Sequence, residues 1–125
     1  MSVVKDGDTL RRFVFENEDI LGTIVRLDSS WGQLQATDEY PPQIMSVLGE
    51  AAAATALLGR SLKFDGRLTF QLQGAEHLRL MVLQANNQLQ LRGLARYGDH
   101  LPEQFADLVD GATLTVTVES GRDAE

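Results

Sequence analysis

Residues 42–61 read PQIMSVLGEAAAATALLGRS, a stretch in which apolar side chains recur at every third or fourth position. This spacing predicts an α-helix from Pro42 to about Ser61, because residues so spaced share one helix face. Proline suits the first turn, where its missing N–H would have no intrahelical partner. Alanine dominates residues 51–56, so little side chain separates the helix from its neighbours. We therefore predict a central helix contacted on more than one side.

Upstream of this helix, two runs rich in β-branched and aromatic residues flank the turn-prone residues 17–19. These runs, Leu10–Glu16 and Ile20–Leu27, predict a β-hairpin with a short loop. Residues 28–30 are aspartate and two serines, which are preferred N-cap residues. They predict the start of a short helix over residues 31–36.

Downstream, the sequence predicts three consecutive strands, a brief helix and a last strand. Residues 67–73 alternate strictly between polar and apolar side chains, and Leu78–Gln84 and Gln88–Tyr97 follow as two more strand-like runs. The segment from Leu101 to Gly111 predicts a short helix that ends at glycine, and Thr113–Val118 alternates threonine with apolar residues. The predicted fold class is α+β, with antiparallel β-sheets packed against the long alanine-rich helix and short helices.

A two-residue turn at Asn86-Asn87 predicts which residues lie opposite each other in the second hairpin. It places Val82 opposite Leu91 and Leu78 opposite Ala95, which gives one apolar face suited to a core. The other face then pairs Met81 with Arg92, Leu83 with Gln90 and Arg79 with Leu94, and is mixed in character.

Apolar side chains on this mixed face exceed what a simple core needs. They are Met81, Leu83 and Leu94, with Phe70 on the neighbouring strand, beside Met81 if the loop at residues 74–77 has four residues. Two interpretations remain open. A helix or a second sheet covers this face, or these four residues form a surface that binds unfolded chains.

The composition limits the classes of function. The 125 residues carry a net charge of −7, so nucleic acid and anionic membranes are not expected partners. There is no cysteine, which excludes disulfides and thiol chemistry within the chain. The first eight residues are too acidic and too short in apolar run for a secretory signal, and we expect a cytoplasmic location.

Signals for catalysis are weak. His77 and His100 are the only histidines and lie beside predicted turns, so we interpret them as surface residues, with a two-histidine metal site as the alternative. No serine lies in a Gly-x-Ser-x-Gly motif, and no glycine pattern matches a phosphate-binding loop. Acidic pairs such as Asp107 and Asp110 are typical of a solvated surface. We predict no enzyme activity and no catalytic, cofactor-binding or metal-binding residue.

Five short motifs occur in the order and at the spacing of a known family. They are Leu10-Arg-Arg-Phe-Val-Phe-Glu16, Tyr40-Pro-Pro42, Leu62-Lys-Phe-Asp-Gly66, Phe70-Gln-Leu-Gln-Gly74 and Leu91-Arg-Gly-Leu-Ala-Arg96. Through them the chain resembles the N-terminal part of the redox-regulated, thirty-three-kilodalton heat shock chaperone family of bacteria. The resemblance covers essentially all 125 residues.

The resemblance implies an ATP-independent holdase that binds unfolding proteins during oxidative stress in the bacterial cytosol. In that family a C-terminal module binds zinc through Cys-x-Cys and Cys-x-x-Cys pairs, and thiol oxidation releases the metal. This chain has no such cysteines. We therefore expect residues 1–125 to be a single, incomplete N-terminal domain that lacks the zinc module and needs no cofactor of its own. An incomplete sheet leaves unpaired backbone and apolar surface, so we also expect a homodimer. The alternative is a dimerisation or scaffold module that binds no clients.

Overall fold

The computed structural model describes residues 2–5, 7–62 and 65–120, with the backbone alone for residues 2–5. Its elements in chain order are β1 (Ser2–Lys5), β2 (Asp8–Val14), β3 (Leu21–Arg26), α1 (Ser29–Thr37), α2 (Pro42–Arg60), β4 (Gly66–Gln73), β5 (Leu78–Ala85), β6 (Leu91–Tyr97), α3 (Phe105–Leu108) and β7 (Thr113–Ser120). The α+β class is confirmed, and the predicted helices and strands all occur close to their expected positions. Only β1 was not predicted.

Two antiparallel sheets pack with helix α2. The first sheet has the strand order β1-β2-β3, and the second has the order β6-β5-β4-β7. Helix α2 contacts β4, β5 and β6 of the second sheet and also β3 of the first. The prediction of a central helix contacted on more than one side is therefore confirmed.

The core has two parts, both built on α2. On one side, Ile44, Val47 and Leu48 pack in a cluster with side chains of the second sheet. On another, Ala56 packs with Leu10 of β2 and with Leu89. Small residues let the helix approach closely here, since a Cβ added at Gly59 would lie 3.0 Å from the Ala85 Cβ.

Helix α1 begins at Ser29, two residues before the predicted start, with Asp28 as its N-cap residue, but a different aspartate satisfies its first turn. Asp28 makes no side-chain capping hydrogen bond. Instead the buried Asp8, at the start of β2, accepts hydrogen bonds from the backbone N–H groups of Asp28 (2.7 Å) and Ser30 (3.2 Å) and from the Ser30 hydroxyl. The carboxylate of Asp8, distant in sequence, thus accepts hydrogen bonds from N–H groups that a local capping residue would otherwise satisfy.

Asp8→Asn is expected to lower the free energy of unfolding by about 1–2 kcal/mol. The amide nitrogen of asparagine would face buried hydrogen-bond donors, and these donors would lose a charged acceptor. The matched control is Asp28→Asn, which removes a carboxylate that makes no capping bond and should have a much smaller effect. Urea denaturation followed by circular dichroism measures both. Equal losses from the two substitutions would contradict the role assigned to Asp8.

The register predicted for the β5–β6 hairpin was wrong. Val82 lies opposite Leu94 rather than Leu91, a shift of three residues. An odd shift exchanges the two faces of the pairing, so Met81 and Leu83 now share a face with Ala95 and Gly93. That face packs against α2. Between Leu78 and Leu80 an irregularity of the β-bulge type changes the pairing, so that Leu78 lies opposite Tyr97. Leu78 is buried as well.

Among the described helices, none is both long and apolar enough to cross a membrane.

Candidate client-binding surface

The four residues predicted to bind clients lie on two different faces of the second sheet. Met81 and Leu83 are 2% and 0% exposed under helix α2, and Phe70 is half-buried opposite Leu83. Leu94 is on the opposite face and is 39% exposed. The interpretation in which a helix covers Phe70, Met81 and Leu83 is thus the one observed. Contact of these three with clients would require α2 to move, and their role stays a prediction.

A small apolar cavity of about 200 Å³ remains where α2 meets β4. Phe70, Leu72 and Met81 line it together with Phe105 of α3. Leu72 lies opposite Leu114 of β7, the next strand in the sheet. The cavity is too small for a folded segment of chain. Phe105, at its edge, is 58% exposed to solvent.

A larger apolar surface lies at the far end of the β2–β3 hairpin. Strand β1 pairs only with residues 8–11 of β2, so the hairpin continues beyond it as a two-stranded ribbon. We call residues 12–24 the hairpin arm. Its exposed apolar side chains, with their exposed fractions, are Phe13 (39%), Val14 (63%), Phe15 (52%), Ile20 (48%), Leu21 (82%) and Ile24 (61%). Soluble proteins rarely leave so many large apolar side chains together in water without a binding role.

The hairpin arm is ordered by contacts of its own. The rings of Phe13 and Phe15 meet edge to face with centroids 5.8 Å apart. Phe13 also lies across Gly22, where an added Cβ would be 2.0 Å from the ring. The Phe15 N–H donates to the Ile20 carbonyl at 3.1 Å and closes the pairing next to the tip. The arm therefore presents its apolar groups on a defined scaffold rather than on a loose loop.

Strand β7 carries the other exposed apolar surface. Leu114, Val116 and Val118 share one face and are 52%, 45% and 49% exposed. They lie opposite Leu72, Phe70 and Leu68 of β4, respectively. This face continues the core face of the sheet beyond the region that α2 covers. We call these three side chains the β7 face.

The residues present do not fit the zinc that the resemblance implies. The chain has no cysteine, and no three His, Asp or Glu side chains come together in the part that the structure describes. His77 is half-buried and His100 is exposed. Asp107 and Asp110 are exposed as well, in agreement with a solvated surface.

Sequence reasoning missed the hairpin arm, although a signal was present. Phe13, Val14 and Phe15 are consecutive, so a strand through them is apolar on both faces. Val14 lies opposite Leu21, and Phe13 opposite Gly22, on the two sides of the ribbon. Such a ribbon needs a cover on both sides, and the sequence offers no second apolar element nearby in the chain to provide it.

Comparison with known proteins identifies relatives along almost the whole chain. The family model described as "Hsp33 protein" matches residues 8–125. A 33 kDa chaperonin of Shewanella sediminis is 44% identical over 107 residues, which cover 86% of this chain and 35% of the relative. A 33 kDa chaperonin of Aeromonas salmonicida is 39% identical over 117 residues, which cover 92% and 40%, respectively.

The chain thus spans about 35–40% of the length of these curated relatives. The matched segment includes α2, both sheets from β2 onward, the hairpin arm and the β7 face. The family model covers the five short motifs and the residues between them, which confirms the resemblance. The chain belongs to the Hsp33 chaperone family.

Proposed function

We propose that this chain acts as an ATP-independent holdase and binds apolar segments of unfolding proteins on the hairpin arm. The observation that carries the proposal is the set of six large apolar side chains of the arm, 39–82% exposed. Membership of a chaperone family makes unfolded protein the ligand class for such a surface. Unfolded chains expose irregular apolar segments, and a ribbon that is apolar on both faces accommodates them without a fixed register.

The charges around the hairpin arm support this use. Arg11 and Arg12 lie at its base, and Glu16, Glu18 and Asp19 lie at its tip, all exposed. Charged residues that flank an exposed apolar strand limit its self-aggregation. They leave the centre of the arm available to an apolar client segment.

We further propose that binding by this chain is not switched by oxidation. The resemblance implies a thiol switch in the family, but this sequence holds no thiol. The place of action proposed is the bacterial cytoplasm under oxidative stress, with neither nucleic acid nor membrane as partner. No catalytic step is proposed.

Removing apolar groups from the hairpin arm should weaken the suppression of aggregation. The test variant combines Phe15→Thr with Leu21→Thr, because threonine keeps strand propensity while removing apolar surface. Burial of one large apolar side chain contributes about 1.5–3 kcal/mol. Partial loss of two such contacts should therefore raise the amount of chain needed for half-suppression by roughly tenfold. Light scattering of a chemically unfolded test protein after dilution from denaturant measures this amount.

The matched control is Leu114→Thr, which changes an exposed leucine outside the hairpin arm. It should leave suppression unchanged, as should added ATP or peroxide. A loss of suppression in the control, with none in the arm variant, would transfer the site to the second sheet. If the unmodified chain suppresses no aggregation at any molar ratio of chain to test protein, the result supports the alternative, a dimerisation or scaffold module that binds no clients.

A further inference from the structure

Strand β3 is an edge strand whose backbone is unpaired on one side along the hairpin arm. The described strands of the first sheet have the order β1-β2-β3, so β3 has a neighbour only on its β2 side. Helix α2 contacts β3 near the base of the hairpin arm, where Val25 packs against the core. Farther out, Leu21, Thr23 and Ile24 are exposed. Residues 21–25 contain no proline and no charged side chain, which are the usual protections of a sheet edge.

The hydrogen bonds of the hairpin determine which backbone groups of β3 point outward. The Phe15 N–H donates to the Ile20 carbonyl, so both residues direct their backbone groups into the ribbon. In an antiparallel pair, such inward-pointing residues alternate with outward-pointing ones. The N–H and carbonyl groups of Leu21 and Thr23 therefore point away from β2. These are the donors and acceptors that a further strand would use.

Charges of opposite sign lie at the two ends of this free edge. Asp19 lies at the tip of the hairpin arm and Arg26 at the end of β3, and both are exposed. Neither makes an ion pair with another described residue. An extended strand spans roughly 23 Å between these two positions. The six residues between them are uncharged.

We propose that a client segment binds the hairpin arm as an extended strand paired antiparallel with β3, and that this segment carries an acidic residue before, and a basic residue after, a run of about six uncharged residues. This inference rests on the proposed holdase function and names the kind of segment bound. An antiparallel client runs from the base of the hairpin arm to its tip, so its acidic end meets Arg26 and its basic end meets Asp19. Antiparallel pairing is slightly more stable than parallel pairing, which gives the direction.

The side chains of the hairpin arm suit such a strand. Phe15, Ile20 and Ile24 lie on one face of the ribbon, and Val14 and Leu21 lie on the other. A strand beside β3 alternates its own side chains between the same two faces, so consecutive apolar residues of the client all gain apolar neighbours. Backbone hydrogen bonds supply affinity without selecting a client sequence, and the terminal charges favour one direction.

Peptides with blocked backbone groups test the strand pairing. The parent peptide is DDVTVTVTKKGG. N-methyl groups on two adjacent central residues block pairing in either register, because one of the two N–H groups must face β3. The matched control carries the two methyl groups on the glycine tail and has the same composition. Fluorescence anisotropy of labelled peptides measures the affinities.

The centrally methylated peptide should bind at least tenfold more weakly than the parent, roughly the effect of one lost hydrogen bond plus the clash of the methyl groups. The tail-methylated peptide should bind within about twofold of the parent. Equal affinities of the two methylated peptides, or no binding of the parent, would overturn the proposal.

Thr23→Pro tests the same pairing from the protein side. It removes an outward N–H of β3 and none that bonds to β2, and proline is accepted at such edge positions. Relative to Thr23→Ala, which keeps the N–H, it should weaken binding of the parent peptide by roughly fivefold to tenfold. Equal affinities of the two variants would count against the proposal. If Thr23→Pro leaves the peptide affinity unchanged but lowers the molar mass of the unliganded chain in sedimentation equilibrium, the edge holds a second copy and the proposal is wrong.

Exchanging the two terminal charges tests the direction of the client. Asp19→Lys combined with Arg26→Glu leaves the net charge at −7. The unmodified chain should bind the parent peptide roughly threefold to tenfold more tightly than a peptide with the charged ends interchanged. The double variant should prefer the interchanged peptide, and salt should reduce both preferences. The same preference in both proteins would contradict the assigned direction.

Failure of this inference is distinguishable from failure of the proposed function. If Phe15→Thr with Leu21→Thr abolishes suppression of aggregation while the centrally methylated peptide binds as tightly as the parent, the hairpin arm binds clients through side chains alone. The holdase function then stands and the strand pairing is wrong. If the parent peptide binds with the expected dependence on methylation but the unmodified chain suppresses no aggregation, the strand pairing stands and the holdase function is wrong.

Discussion

Replacing Leu48 with alanine is expected to lower the free energy of unfolding by about 3–4 kcal/mol, enough to destroy much of the stability of a single domain. Leu48 is fully buried in the middle of helix α2. It belongs to the cluster that joins this helix to the second sheet. The substitution removes three methylene-sized groups and leaves a cavity, because the surrounding helix and strands relax only partly.

The matched control is Leu58→Ala, a substitution of the same residue type ten positions farther along α2. Leu58 is 42% exposed, so its truncation removes less buried surface and opens no closed cavity. A loss below about 1 kcal/mol is expected there. Helix propensity changes equally in the two variants, which leaves burial as the difference between them.

Urea denaturation followed by tryptophan fluorescence measures this pair. Trp31 is the only tryptophan and packs against the same cluster, so its emission reports on unfolding of the core. Similar midpoints for the two variants would mean that α2 does not pack on the sheet as described.

Much of the fold could be predicted because its signals are local. The alternation in Arg67–Gln73 and the helical spacing in residues 42–61 depend on neighbours a few positions apart. These elements occur where expected, as β4 and α2. Strand β1 had no such signal, because its four residues form a strand only through pairing with β2.

The turn between β5 and β6 shows where local signals fail. Asn86-Asn87 suits a two-residue turn, but the loop is longer, and the Asn86 side-chain oxygen accepts hydrogen bonds from the N–H groups of Gln88 (2.9 Å) and Gln90 (3.1 Å). Leu89 has a φ of 60° and is only 1% exposed, packed with Leu10 and Ala56. This long-range burial compensates a left-handed backbone conformation that leucine rarely adopts.

The consequence for the candidate site was large, since the register decides which side chains are covered. With the predicted turn, Met81 and Leu83 would lie on a mixed face, which either another element covers or clients can reach. With the observed loop they lie in the core. Exposure of the hairpin arm and of the β7 face depends on whether another element covers them, and no local pattern encodes that.

Gly59→Val is expected to lower the free energy of unfolding by about 3 kcal/mol through overpacking. Gly59 is buried near the end of α2, where the helix passes close to the end of β5. An added Cβ would meet the Ala85 Cβ at 3.0 Å and the Asn86 carbonyl oxygen at 3.1 Å. The second of these atoms is backbone, which cannot rotate away, and the two further methyl groups of valine must push helix and strand apart.

Gly59→Ala and Gly32→Ala separate this clash from helix propensity. Alanine gains about 1 kcal/mol over glycine in a helix interior. At Gly32 in α1 an added Cβ meets nothing within 4 Å, so that gain should appear as increased stability. At Gly59 the close contacts should offset it, and Gly59→Ala should be neutral or destabilising. Thermal denaturation ranks the three variants, and a Gly59→Val protein as stable as Gly32→Ala would show that α2 does not approach the β5–β6 loop this closely.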